Sequence, residues 1–258
     1  MSADGGHAAR LWTSGASAPP GVPGWVVPAR EHIGRTLLAT RPAPYPCHFG
    51  AIGERGGTNH YTYLDLRADR SGEIDTVAVA VGTFLDTQRS RPADRLSLLI
   101  MVGPPEPGRE LPWYRDRFWE VLSDLHLRDE RPRPAGLPAD PDDPRWNFHF
   151  DGESLFVFGT CPAYGRRRSR VLAECLVIGL QSRSIFHDLG GDTDAGRAAK
   201  RRIRRGLAEY EDVPLIADSG DGLGSTAQKW KQYFPEVDGE PLAGRCPIRL
   251  EEHRSGRA

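Results

Sequence analysis

The residues best suited to chemistry are grouped at Tyr45-Pro46-Cys47-His48-Phe49-Gly50, where one of four cysteines in a 258-residue chain lies between a proline and a short aromatic turn. Ionised, that thiol can be a nucleophile or a ligand for a metal or heme iron, because the thiolate is the reactive and ligating form. A buried structural cysteine is the competing reading. The carboxylate pairs Asp65 with Asp69 and Asp151 with Glu153 have no distinctive catalytic spacing, and acidic residues of this kind usually stand solvated at a surface. Of the eight histidines, His48, His60 and His149 adjoin aromatic segments, where a hydrogen-bonded packing role competes with ligation. Arg166-Arg167-Arg168-Ser169-Arg170 is open to three readings: a solvated loop, a phosphate contact, or a clamp on carboxylates, for which the guanidinium fork is well shaped. The glycine-rich nucleotide loops, the G-x-S-x-G elbow and the H-E-x-x-H zinc pattern are absent.

Bulk composition narrows the classes further. A formal net charge of -1 with 27% charged residues describes neither a polyanion binder nor an acidic disordered chain. The cysteines at 47, 161, 175 and 246 have no C-x-x-C or zinc spacing and no secretory leader precedes them, so a reducing, cytoplasmic setting is expected. The longest apolar run, Val171 to Leu180, contains Glu174 and is too short to cross a bilayer, so no membrane segment is expected.

The elements that must position these residues follow from periodicity. Residues 1–28, rich in Ala, Gly, Ser and Pro, read as a flexible arm with Trp25 as its anchor. Ile33, Leu37 and Leu38 then recur on one helical face before Arg41-Pro42, and the cysteine loop comes next. His60, Thr62, Leu64 and Leu66 alternate with Tyr61 and Tyr63 in a strand. Ile74, Val77, Val81, Phe84 and Leu85 keep helical spacing over 74–88, residues 96–102 form a second strand, and Tyr114, Phe118, Val121, Leu122 and Leu125 stripe a helix at 112–127. After a Pro- and Asp-rich connection at 131–144, alternation on both sides of Asp151-Gly152 predicts a β-hairpin, with Phe148 and Phe150 on one face and Asn147 and His149 on the other. Residues 171–180 fit a central strand or a buried helical segment. A basic helix at about 195–211 presents Ala199, Ile203, Leu207 and Tyr210 inward and Arg197, Lys200, Arg201, Arg204 and Arg205 outward. A Gly-rich tail follows Asp218, with Trp230, Tyr233 and Phe234 as its anchor. The sum is an α+β (mixed α/β) chain: a single compact domain at 29–235, with a hairpin-containing sheet packed by helices, and a C-terminal tail at 236–258.

Several segments taken in order resemble the YqcI/YcgG family: Tyr45 to Gly50, Phe118-Trp119 with Leu122 and His126, Asp140-Pro141, Trp146-x-Phe148-x-Phe150-x-Gly152-Glu153-x-x-Phe156-Val157, Arg167-x-Ser169-Arg170, and Trp230-Lys231-Gln232-Tyr233. No single motif is specific, and the ordered set covers roughly residues 29 to 235. The resemblance implies kinship with heme-dependent N-hydroxylases of the pre-guanitoxin type. It implies an oxygenase that binds heme b, activates dioxygen, and hydroxylates a guanidino or amino nitrogen of an amino-acid-like substrate. Electrons would come from an external donor such as a reductase. Under that reading Cys47 is the axial thiolate, with Tyr45, Phe49 and Phe148 as walls for a flat cofactor. Arg167, Arg168 and Arg170 are offered to the propionates, and Glu153 or Asp151 to a cationic substrate. Family members often carry His-Gly-Glu where this chain has Asp151-Gly152-Glu153, and His-Pro where it has Cys161-Pro162. His149 is then the substitute catalytic histidine, and Cys161, His60 and His149 are the alternative iron ligands. A non-catalytic heme or small-ligand sensor is the second functional class, and a nucleic-acid binder using 166–170 and 197–205 the third, less favoured by the near-neutral charge.

Overall fold

Leu98–Gly103 and Leu176–Ser182 are buried along their whole length, so both faces of the sheet they share must be covered. In the computed structural model, which describes residues 10–41, 43–189, 193–215, 228–240 and 242–250, they are the third and sixth strands of a mixed sheet. The strands are β1 (Trp12–Thr13), β2 (His60–Asp65), β3 (Leu98–Gly103), β4 (His149–Phe150), β5 (Glu153–Thr160) and β6 (Leu176–Ser182), and they lie in the order β1-β2-β3-β6-β5-β4. Among the described residues only β2 and β3 run parallel, and their crossover is the helix α3 (Arg70–Ser90). Asp69 starts that helix by accepting the Gly72 N–H at 2.7 Å.

Alternate strand residues feed two hydrophobic clusters. Leu98, Ile100, Val102, Leu176, Ile178 and Leu180 face one side, under α3 and α4 (Leu111–His126). Leu99, Met101 and Val177 face the other, under α1 (Val26–Leu38) and the loop before α2 (His48–Arg55). A fifth helix, α5 (Asp194–Tyr210), follows a 3-10 segment at Arg183–Leu189. The result is the single compact α+β domain that the alternation predicts. Among the described residues no helix is long and apolar enough to cross a membrane, and all four cysteines are free.

Local expectations are sharpened in several places. The segment at 171–180 resolves as strand only from Leu176, where pairing with β3 begins at Val102; pairing with β5 begins one residue later, at Val177. The first hairpin strand is only two residues long, with Asp151 at φ 51 and Gly152 at φ 71 making the turn. Leu38 does not join Ile33 and Leu37 in the core but is 42% exposed. Ile203, expected inward on α5, is exposed as well. Within the stretch read as an arm, Trp12 is buried and β1 pairs with β2; within the stretch read as a tail, Leu242 and Ile248 enter the core. Arm residues 1–9, Pro42, the Gly-rich part of the tail at 216–227 and residues 251–258 lie outside the described residues.

Asp142 explains how the tail is fastened. Its Oδ1 accepts from Trp230 Nε1 at 3.2 Å and the Cys246 N–H at 3.1 Å, and its Oδ2 accepts from Arg245 Nε at 3.1 Å. Burial works against its ionisation, but the bonds from Arg245, Cys246 and Trp230 prevail and hold the carboxyl below its ordinary range. A depressed folded-state pKa stabilises the fold above the unfolded value of about 3.9, and that stability is lost as pH falls through the folded pKa. Asp142→Asn is therefore expected to flatten the fall in melting temperature between roughly pH 5 and pH 3. An acid slope identical to the parent's would remove Asp142 from this account.

Candidate active site around Cys47

Cys47 is the N-cap of α2, with its backbone extended and its Sγ accepting the Gly50 N–H at 3.4 Å. A Cβ on Gly50 would lie 3.1 Å from that sulfur and 3.2 Å from Leu37 Cδ2, so the glycine is what lets the helix begin beneath the thiol. The other end of α2 is tied to the sheet through buried Glu54, which accepts from Tyr61 Oη at 2.6 Å and Asn59 Nδ2 at 3.2 Å and pairs with Arg30 at 3.1 Å. Half-buried Cys47 is thus carried on a fixed element. Burial pushes its thiol up, with the Gly50 N–H working in the opposite sense.

An aromatic ledge adjoins it. The Phe49 ring lies 5.9 Å from Phe186, Phe186 lies 5.9 Å from Phe156, and Phe156 lies 6.1 Å from Phe158. All four rings are half-buried, and Phe158 and Cys47 pack against the same cluster. Phe158 lies over Gly179, where a Cβ would come within 2.1 Å of the ring. The Arg95 guanidinium stands 5.0 Å from the centre of Phe49 and donates to the Ile185 carbonyl at 2.5 Å. On the other side of the thiol, Tyr45 donates to the Ser169 carbonyl at 2.6 Å, and its ring meets Tyr210 edge-on at 5.6 Å. Burial drives the Tyr45 hydroxyl far above its ordinary pKa, so it remains a donor. Glu211, which ends α5, accepts from the Ser169 hydroxyl and, at 3.3 Å, from the Ser169 N–H.

The remaining residues singled out from sequence stand elsewhere. Phe148 belongs to the cluster on the opposite face of the sheet, its N–H bonded to Tyr233 Oη at 3.0 Å. His149 is buried with Nδ1 3.4 Å from Asp129 Oδ2 and its ring against His126. Asp151 receives Arg89 at 2.5 Å and Arg131 at 3.3 Å, and Glu153 accepts from Ser182 Oγ at 2.5 Å. The carboxylates therefore gather at the hairpin, away from the thiol's cluster. Arg167 is 1% exposed and donates to the carbonyls of Val237 at 2.9 Å and Pro214 at 2.8 Å. Arg170 donates to the carbonyls of Gly159, Tyr233 and Gln232, each at 3.1 Å. Arg168 covers Tyr210 at 5.1 Å, donates to its carbonyl and pairs with Asp212 at 3.4 Å. Cys161 is fully buried, and burial pushes its thiol up to about 12. His60 packs its ring on Phe84 at 5.4 Å, and burial lowers its pKa.

A thiol beside half-buried aromatic rings suits a flat apolar macrocycle such as heme, and Cys47, Phe49 and Phe158 would be the residues to hold it. The propionate role expected of Arg167 and Arg170 fits poorly, since those guanidiniums are occupied with backbone carbonyls. Arg95 is the cation standing at the ledge. Phe156, Phe158, Phe186, Arg95 and Glu211 were not singled out by their spacing. Only the Phe156-Val157-Phe158 alternation carried a usable signal: two aromatics on one face of a strand whose other face is core.

The YqcI/YcgG family profile matches residues 35–249. The chain is 36% identical over 155 residues to "Uncharacterized protein YcgG" and 34% identical over 155 residues to "Uncharacterized protein YqcI", both of Bacillus subtilis (strain 168), in each case across 59% of this chain and 60% of the relative. It is 29% identical over 186 residues to "Putative N(omega)-hydroxy-L-arginine synthase DcsA" of Streptomyces lavendulae, across 72% of this chain and 63% of DcsA. The chain thus spans less than two thirds of the length of these curated relatives. No solved structure matches.

Proposed function

The chain belongs to the YqcI/YcgG family, and on that premise we propose that it is an N-hydroxylase acting on a guanidino nitrogen of an arginine-like amino acid, with heme b as a cofactor that Cys47 would hold. The observation that carries this reading is the 29% identity over 186 residues to a relative named for hydroxy-arginine synthesis. The half-buried thiol beside the ledge supports the cofactor. Bound there, heme would supply dioxygen activation and transfer of one oxygen atom to nitrogen.

The chain's own residues have separable tasks. Cys47 would hold the iron as a thiolate, because a coordinating thiol is deprotonated. With burial raising its pKa, affinity for such a cofactor would climb with pH until the free thiol itself ionises. Phe49 and Phe158 would exclude water from one side of the ledge, and Arg95, over the Phe49 ring and bonded to the Ile185 carbonyl, would set a positive charge beside it. Tyr45, held by Ser169, fixes the loop that presents the sulfur.

The test is direct. Heme-loaded protein supplied with L-arginine, dioxygen and a chemical reductant is expected to yield a product one oxygen atom heavier, seen by mass spectrometry. Heme uptake without product favours the sensor reading, and no heme uptake overturns both.

A further inference from the structure

Surface arginines in this molecule usually have a partner: Arg70 pairs with Asp124, Arg89 with Asp151, Arg128 with Asp75 and Arg145 with Asp143. The face of α5 is an exception. Arg201, Arg202, Arg204 and Arg205 are exposed and have no ion pair or hydrogen bond among the described residues, and the helix carries no acidic residue between Asp194 and Glu209. Ile203 is 41% exposed as well, on the side of the helix away from Arg201 and Arg205. Four unpaired cations over one side of a helix repel one another, and a complementary acidic surface would relieve that repulsion. The chain's net charge of -1 makes this a local field, unlike the broadly basic surface of a nucleic-acid binder.

The patch is mechanically joined to the thiol site. Tyr210, the last residue of α5, meets Tyr45 two positions from Cys47, and Glu211 holds Ser169. The helix also packs on the 3-10 segment that carries Phe186 of the ledge.

We propose that this arginine face docks an acidic one-electron carrier protein that reduces the site beneath it; the partner's role, though not the docking itself, rests on the oxygenase reading above. The chemistry requires such a partner. One atom of dioxygen enters an N–H bond to give N–OH and the other leaves as water, so the balance takes two electrons and two protons. A one-electron carrier is oxidised in each of two encounters. Complementary charge would speed association and make it fall with salt.

The experiment titrates the full chain with a plant-type [2Fe–2S] ferredoxin as the acidic probe, by calorimetry at low and raised salt. Binding is expected to weaken with salt. It should weaken at least about tenfold further in the Arg201→Glu/Arg202→Glu/Arg205→Glu variant, while Arg145→Glu, which removes a paired surface arginine, leaves it unchanged. Circular dichroism checks that the variants are folded. Equal ferredoxin affinity in parent and triple variant overturns the proposal, and so does tighter binding to duplex DNA or to phosphatidylserine vesicles than to ferredoxin. The two readings fail separately. Reductant-driven hydroxylation that is the same in parent and triple variant, without charge-dependent docking, sinks this proposal alone; docking without any hydroxylation of L-arginine sinks the oxygenase reading alone.

Discussion

Replacing Arg167 by Ala is expected to lower the melting temperature of the protein by roughly 6–20 °C, measured without added heme. Arg167 is among the largest fully buried side chains, and its two donors hold the carbonyls of Val237 and Pro214. The substitution leaves a cavity and two buried acceptors without a charged donor, a combined cost of about 3–5 kcal/mol. A domain of this size loses about 2–4 °C per kcal/mol. Arg167→Met, which restores most of the volume, should recover part of the loss, so packing and hydrogen bonding can be separated. The result also discriminates between roles. If Arg167 instead bound cofactor carboxylates, the heme-free protein would melt as the parent does and only heme affinity would fall.

Cys47→Ala is expected to abolish the thiolate-type optical spectrum of the heme-loaded protein and to reduce hydroxylation at least about 100-fold, beyond what outer-shell changes at metal sites cost. Cys47→Ser is the companion variant, because its hydroxyl still accepts the Gly50 N–H and keeps the start of α2 capped. Loss of the spectrum in both, with the melting temperature of Cys47→Ser near the parent's, assigns the effect to sulfur and not to the fold. A spectrum unchanged in both variants would move the iron to another ligand. Of the alternatives, Cys161 would have to ionise from about 12 in a fully buried site, and His149 lies against Asp129 at the hairpin. His60, whose lowered pKa keeps it neutral and ligand-competent, would then be tested first.

The elements were legible wherever burial imposes a period. The alternation of Tyr61 and Tyr63 against Leu64, the Asp151-Gly152 turn and the stripe of α4 all correspond to residues with one dry face. Periodicity failed at Ile203, where the helix takes the expected period but no second layer covers it. It also could not pair strands across the sheet. Phe148 and Phe49 were read as two walls of one site, yet neither residue's spacing records which side of β6 its element will meet: Phe148 lies in the cluster under α3 and α4, while Phe49 packs on Phe186. The arginines at 167–170 show the same limit. Their charge invites a ligand, while the carbonyls they serve, at 159, 214, 232, 233 and 237, are mostly distant in sequence and collected only by the fold.

The two residues of β1 have a consequence out of proportion to their number. By pairing Trp12 with Tyr61 and Thr13 with His60, and through the Ser14 N–H to the Asn59 carbonyl at 2.7 Å, they close the outer border of β2 where it begins. Without them a wholly buried, tyrosine-bearing strand would become the rim of the sheet, with open amide groups ready to recruit a second chain. The pairing of β1 thus covers a template for self-association, and trimming residues 10–14 is expected to increase the protein's tendency to associate with itself.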